Sequence, residues 1–306
     1  LKAFPRFSLT IVFLLSLVSV SSVHIGIVQS ATEINSTIIT SDTTWTKANS
    51  PYTINGPIRI ERGATVTVEP GTSVNLNNNR IEVWGTLQVI GTSGDSIILS
   101  NGLIRFQADA PGPNSAKSTT SIIQKATLHS MSLEVNYSSP KIAECEFTGS
   151  INANDASSLI LENNIITLTS TSYLYSCMAS IANNIIKGEP IWTSTDASTI
   201  SNNTFIKTAI NADGNTIEKN VFYGYGSGVI AVSNNKIEQN LFVNNNLAIN
   251  VKGISNEIRY NTIMNCTFGG VVFNHGAVFA YNNIYGNSQY NVRIGGDAAG
   301  DYELSL

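Results

Sequence analysis

Residues 237–251 read Ile-Glu-Gln-Asn-Leu-Phe-Val-Asn-Asn-Asn-Leu-Ala-Ile-Asn-Val. The apolar stretches are one to three residues long and are broken by Asn, too short and too irregular for an amphipathic helix. Ile237 to Gln239 reads as a strand, with a bend at Asn240. Leu241-Phe242 reads as a second strand, Val243 to Asn246 as a turn, and Leu247 to Val251 as a third strand. Asn is a turn former that tolerates the left-handed backbone, so the bend is expected at Asn240 itself.

The same pattern recurs outward from this stretch. An apolar residue, two variable residues, usually Asn, one variable residue and Phe, Ile or Leu appear nine times from Ile123 to Ile284. The fourth position is occupied by Ala126, Cys145, Asn164, Asn184, Asn203, Asn220, Asn240, Asn261 and Asn282, at spacings of 19, 19, 20, 19, 17, 20, 21 and 21. A fixed period near twenty residues signals a solenoid. Leucine-rich repeats would need a Leu-rich consensus and a helical segment in each turn, and neither is present. Three short strands per coil, each parallel to its equivalent one coil away, make an all-β, single-stranded, right-handed parallel β-helix. Stacked side-chain amides carry donors and acceptors along the stacking direction, so an Asn ladder is expected to begin at Asn164.

A second strand-rich stretch precedes the repeats. Ile58-Arg59-Ile60, Val66-Thr67-Val68, Val74-Asn75-Leu76, Ile81-Glu82-Val83, Leu87-Gln88-Val89 and Ile97-Ile98-Leu99 are separated by turn signals at Gly63, Pro70-Gly71, Gly85 and Gly91. The chain is therefore expected to divide into a targeting segment (1–31), a lead-in or N-terminal cap (32–49) and one β-helix domain (50–306). Within that domain, 50–109 are N-terminal coils, 110–120 a loop and 121–294 regular Asn-bearing coils. Residues 295–306 form an incomplete end, too short for a substantial cap, so further domains or another subunit are expected to cover it, or the sequence is truncated. A dozen coils at about 4.8 Å each make a rod roughly 60 Å long.

The eight-fold recurrence from Ile142 to Ile284 resembles the right-handed parallel β-helix repeat family within the pectin-lyase-like superfamily. Ser50-Pro51-Tyr52-Thr53-Ile54, Val66-Thr67-Val68-Glu69-Pro70-Gly71 and Val83-Trp84-Gly85-Thr86-Leu87 resemble the opening of exported surface β-helix proteins, many of them archaeal. The resemblance implies a scaffold used by polysaccharide lyases, glycoside hydrolases, esterases, adhesins and accessory proteins of periplasmic copper centres. Fold alone does not choose among them.

The motifs of those enzymes are missing. No Asn-Thr-Asp, Asp-Asp or Gly-His-Gly segment occurs, and Asp155, Asp196, Asp213 and Asp297 fall in separate coils. Glu218 and Glu238 hold equivalent positions in successive coils, about 4.8 Å apart, close to the separation of a retaining glycosidase pair. Arg259 is next in that column, and the bland reading is a surface stripe in which Arg259 offsets Glu238. Tyr260 and Tyr281 share another column and are candidates for a sugar-stacking platform, or simply a structural aromatic ladder. His129 and His275 stand alone, no Cys, Met and His cluster supports a copper or zinc site, and no metal or cofactor is expected.

Lys2 and Arg6 precede the apolar run Leu9 to Val18, and small residues lead to Gln29-Ser30-Ala31, as in a cleaved signal peptide. The alternative is an uncleaved anchor, because no charged residue occurs from Phe7 to Ser30. Either arrangement makes the protein secreted or surface-displayed, with membrane contact only through that segment. Charged residues are 12% of the chain and the net charge is −4, so nucleic acid is excluded as a partner class. The three cysteines, Cys145, Cys177 and Cys266, cannot all pair within a monomer and read as small buried hydrophobes. Sequons at Asn35, Asn136, Asn202 and Asn265 permit N-glycosylation. These features together predict a structural or binding protein whose long faces contact polysaccharide or envelope glycan. The rival is a polysaccharide lyase or glycoside hydrolase, and a copper-centre accessory protein stands third.

Overall fold

The computed structural model describes residues 30–108, 121–154, 157–194, 197–224, 226–295 and 303–305. The segments expected to be a signal (1–31) and a loop (110–120) lie almost wholly outside them, as do Asp155, Asp196 and Asp297. The described chain is a parallel β-solenoid of about 12 turns. Its strands fall into a 13-stranded and a 23-stranded sheet, which together give each coil three faces. The coil quoted first shows the layout: Lys236–Glu238 lies on face one, Leu241–Val243 on face two and Leu247–Val251 on face three. Each strand pairs in parallel with its equivalent in the next coil, as Ile237 with Ile258, Phe242 with Ile263 and Ile249 with Val271.

Burial follows the period-two alternation of strands. Ile237, Phe242, Ile249 and Val251 are fully buried while Glu238, Leu241 and Asn250 point outward. Equivalent residues stack: the rings of Phe205, Phe222 and Phe242 follow one another at 4.8 and 4.7 Å, nearly parallel. Each such side chain contributes about 1.5–3 kcal/mol by leaving water, and this single core runs the length of the solenoid.

Faces one and two meet at a tight turn containing the repeated Asn. Here one expectation is corrected. The left-handed residue is not the repeated Asn but the one before it: Asn163, Asn183, Asn202, Lys219, Gln239, Tyr260 and Tyr281 all have φ between 55° and 57°. The reason is orientation. The repeated Asn must send its amide into the turn, so its exposed neighbour takes the backbone reversal. Asn164, Asn184, Asn203, Asn220, Asn240 and Asn261 are buried. Each donates its backbone N–H and a side-chain Nδ2–H to the Oδ1 of the next Asn, at 2.8–3.0 Å. The other Nδ2 hydrogen serves a backbone carbonyl of the preceding coil, as from Asn240 to Ile217 at 2.8 Å and from Asn282 to Ile258 at 2.8 Å. Cys145 extends the same column: its N–H donates to Asn164 Oδ1, and its thiol reaches the Ile123 and Ala143 carbonyls at 3.6 and 3.1 Å.

The coils begin earlier than residue 50. Thr32–Ile34, Thr37–Ile39 and Thr43–Trp45 form a coil of their own, paired with Tyr52–Ile54, Ile58–Ile60 and Thr65–Val68. This stretch reads as a lead-in because it is rich in Thr and leaves Ile38 61% exposed, and so lacks the apolar alternation of an interior coil. At the other end, Glu303–Ser305 adds a parallel strand to Ala277–Ala280, within the stretch expected to be an incomplete end.

Candidate functional site

The three faces carry different chemistry. On face one, Glu218 and Glu238 are in register and Glu238 is in register with Arg259. Each is engaged within its own strand or turn. Glu218 pairs with Lys219 at 3.5 Å, Glu238 with Lys236 at 2.9 Å, and Arg259 with Glu257 at 3.6 Å. The expected offset of Glu238 by Arg259 is therefore replaced by Lys236, whose ammonium pKa rises through its hydrogen bond and attraction to Glu238. The result is a stripe of paired surface charges, and exposed pairs of this kind contribute little.

Tyr260 and Tyr281 lie side by side in the left-handed turn column, 52% and 59% exposed. Their rings are 5.2 Å apart and 7° from parallel. Each covers one face of the other, which is the geometry of an aromatic ladder.

The sequons separate by position. Asn35, Asn202 and Asn265 are exposed, whereas Asn136 is half-buried and faces a groove. Cys145, Cys177 and Cys266 are all buried, and none of them is in a disulfide. Among the described residues no group of three or more His, Cys, Asp or Glu could hold a metal ion.

The groove lies on face three and was not singled out by the sequence. Strands Ile97–Gln107, Ala126–Asn136, Glu146–Asn154 and Ser172–Tyr175 run across it in successive coils, and Ile191–Ser194 lies in the coil beside it. Alternation buries Ile104, Phe106, Leu133, Val135, Ile151, Ala153 and Leu174 and turns the intervening residues outward. One outward column runs from Arg105 through Glu134 to Asn152, and Tyr173 to Trp192 continue it; the Tyr173 N–H donates to Asn152 Oδ1 at 3.0 Å. The parallel column holds Gln107, Asn136 and Asn154, with Tyr175 in the following coil. Between them the columns line an open concavity of about 460 Å³.

The aromatic side chains here differ from the Tyr260 pair. Tyr173 is 5.4 Å from Tyr175 and 6.2 Å from Trp192, with planes tilted by 41° and 55°. Tilted rings do not cover one another, and all three are more than a third exposed. Beside them the Arg105 guanidinium donates to Glu134 and stands 3.9 Å from Glu82. Aromatic faces next to side-chain amides, lined up along successive coils, can bind an extended ligand that is apolar on some faces and rich in hydroxyls on its edges.

Sequence comparison finds no protein-family model that matches the chain and no curated protein that matches it.

Proposed function

We propose that the protein is an exported glycan-binding β-solenoid of the pectin-lyase-like kind, which lays a polysaccharide or envelope glycan along face three. The observation that carries this reading is the groove from Arg105 to Tyr175, where Tyr173 and Tyr175 adjoin a row of amides and Trp192 lies beside Tyr173. Export is supported by the charged start and apolar run of residues 2–18. Coils repeat at about 4.8 Å, so equivalent side chains recur at nearly the step of one residue in an extended pyranose chain. Electrophoresis through gels containing dissolved polysaccharides tests the reading directly. At least one glycan should retard the protein, and Trp192→Ala should reduce the retardation. A protein that runs unretarded through every glycan tested would end the proposal.

A catalytic reading has one supporting observation: Glu134, a carboxylate, and Arg105, a cation, share the groove. A lyase or hydrolase acting there would lose chain cleavage in Glu134→Gln. Binding without any release of reducing ends or unsaturated products leaves the binding role in place.

A further inference from the structure

We infer that the groove selects uncharged glycan over acidic polysaccharide, an inference that rests on the glycan-binding reading above. Arg105 is the one cation lining the groove among the described residues. It is already taken up: its Nε donates to Glu134, and its Nη1 lies 3.9 Å from Glu82. Glu82 in turn holds Arg80 at 2.8 Å. The lining charges of Arg105 and Glu134 therefore cancel, as do those of Glu82 and Arg80 behind them.

Recognition of a uronate or sulfate relies on a guanidinium free to offer its planar fork. For Arg105 to do so it must leave Glu134, a half-buried carboxylate, without its partner. Every other polar side chain lining the groove is neutral. Gln107, Asn136, Asn152 and Asn154 each offer donors and an acceptor, which suits a hydroxyl that both gives and receives a hydrogen bond. Tyr173 and Tyr175 supply apolar surface for the C–H faces of the sugar. This inventory complements a neutral hexose polymer and offers a polyanion no unclaimed cation.

The test compares a neutral polysaccharide, such as a soluble β-glucan or galactomannan, with polygalacturonate and a sulfated glycan, in affinity gels at two ionic strengths. Neutral glycan should retard the wild-type protein equally at both, because no ion pair is being screened. Tyr173→Ala should weaken that binding by about threefold to tenfold, the worth of one aromatic contact. Glu134→Gln, which releases Arg105, should gain salt-sensitive retardation by polygalacturonate. Asn154→Lys, which adds an unclaimed cation, should gain the same by a separate route, and melting curves on each variant verify that it is folded.

Wild-type binding to acidic glycans alone, abolished by salt, would overturn the selectivity while leaving the glycan-binding reading intact. Failure of both folded charge variants to bind polygalacturonate would show that the Arg105 pairing does not set the choice. Retardation by neither class would remove the glycan-binding reading and this inference with it.

Discussion

The Oδ1 of Asn261 accepts two hydrogen bonds from Asn240, one from its backbone N–H at 2.9 Å and one from its Nδ2 at 3.0 Å. Asn240 offers its own Oδ1 in the same way to Asn220. Asn240→Leu would remove that acceptor and strand two buried donors of Asn220, at about 1–3 kcal/mol for each unsatisfied group. We expect a loss of roughly 2–5 kcal/mol, measured by urea unfolding. An unchanged midpoint would mean that these amide bonds add nothing to the fold.

The backbone reversal at φ 56° on Gln239 predicts the opposite sign one residue earlier. Side chains other than Asn, Asp and Gly pay about 1–2 kcal/mol for the left-handed region, and Asn recovers part of it. Gln239→Asn should therefore raise stability by about 0.5–1 kcal/mol. A melting temperature that falls in this variant would contradict the assignment of the strained position.

Burial pushes the Cys145 thiol from 9.0 up to about 11. The unfolded thiol gives up its proton first, so between these values the folded state holds more protons than the unfolded state. Its contribution to stability is complete below pH 9 and is lost as the pH rises toward 11, by up to about 3 kcal/mol. Cys145→Ala should flatten that part of the alkaline stability profile. The native protein should also resist thiol reagents at neutral pH and react only on unfolding; rapid native labelling of Cys145 would show that it is accessible.

Gly149 is the position least tolerant of a side chain. An added Cβ would fall 1.6 Å from the carbonyl oxygen of Met131, where the register between the two coils shifts. Gly149→Ala should destabilise by several kcal/mol, well beyond the roughly 1 kcal/mol range of an ordinary Gly–Ala exchange. Circular dichroism at rising temperature would read the loss, and a wild-type transition would refute the close approach.

How far the sequence could be read depended on which strand was being read. The motif around Asn240 combines two fixed core residues, Ile237 and Phe242, with one amide in a turn of constant length, so its period survives in the sequence. Face three follows a turn of varying length, and the spacings of 17 to 21 residues blur the register of Tyr173 with Trp192. The groove residues are ordinary outward positions on strands, with no local signature. Two shorter Asn columns were hidden for another reason. Asn215 donates to Asn235 and Asn235 to Asn256, while Cys266 donates to Asn287 and so takes an Asn place between Asn245 and Asn287. Their spacings of 20 and 21 residues were visible, but in a chain with so much Asn only a known register separates a column from a coincidence. The bend falls on Gln239 and not on Asn240 although Asn suits both roles, and only the inward direction of its amide decides between them.

The parallel pairing of each strand with its equivalent one coil away has a mechanical consequence. The backbone hydrogen bonds point along the long axis, so a load applied between the two ends pulls them open in sequence and does not shear them all at once. Under tension the molecule should lengthen in steps, each releasing one coil of about twenty residues at modest force. A sideways load would instead fall on the covalent chain that winds around each coil. Anchored in an envelope, such a protein would act as an extensible tether along its axis and a stiff strut across it.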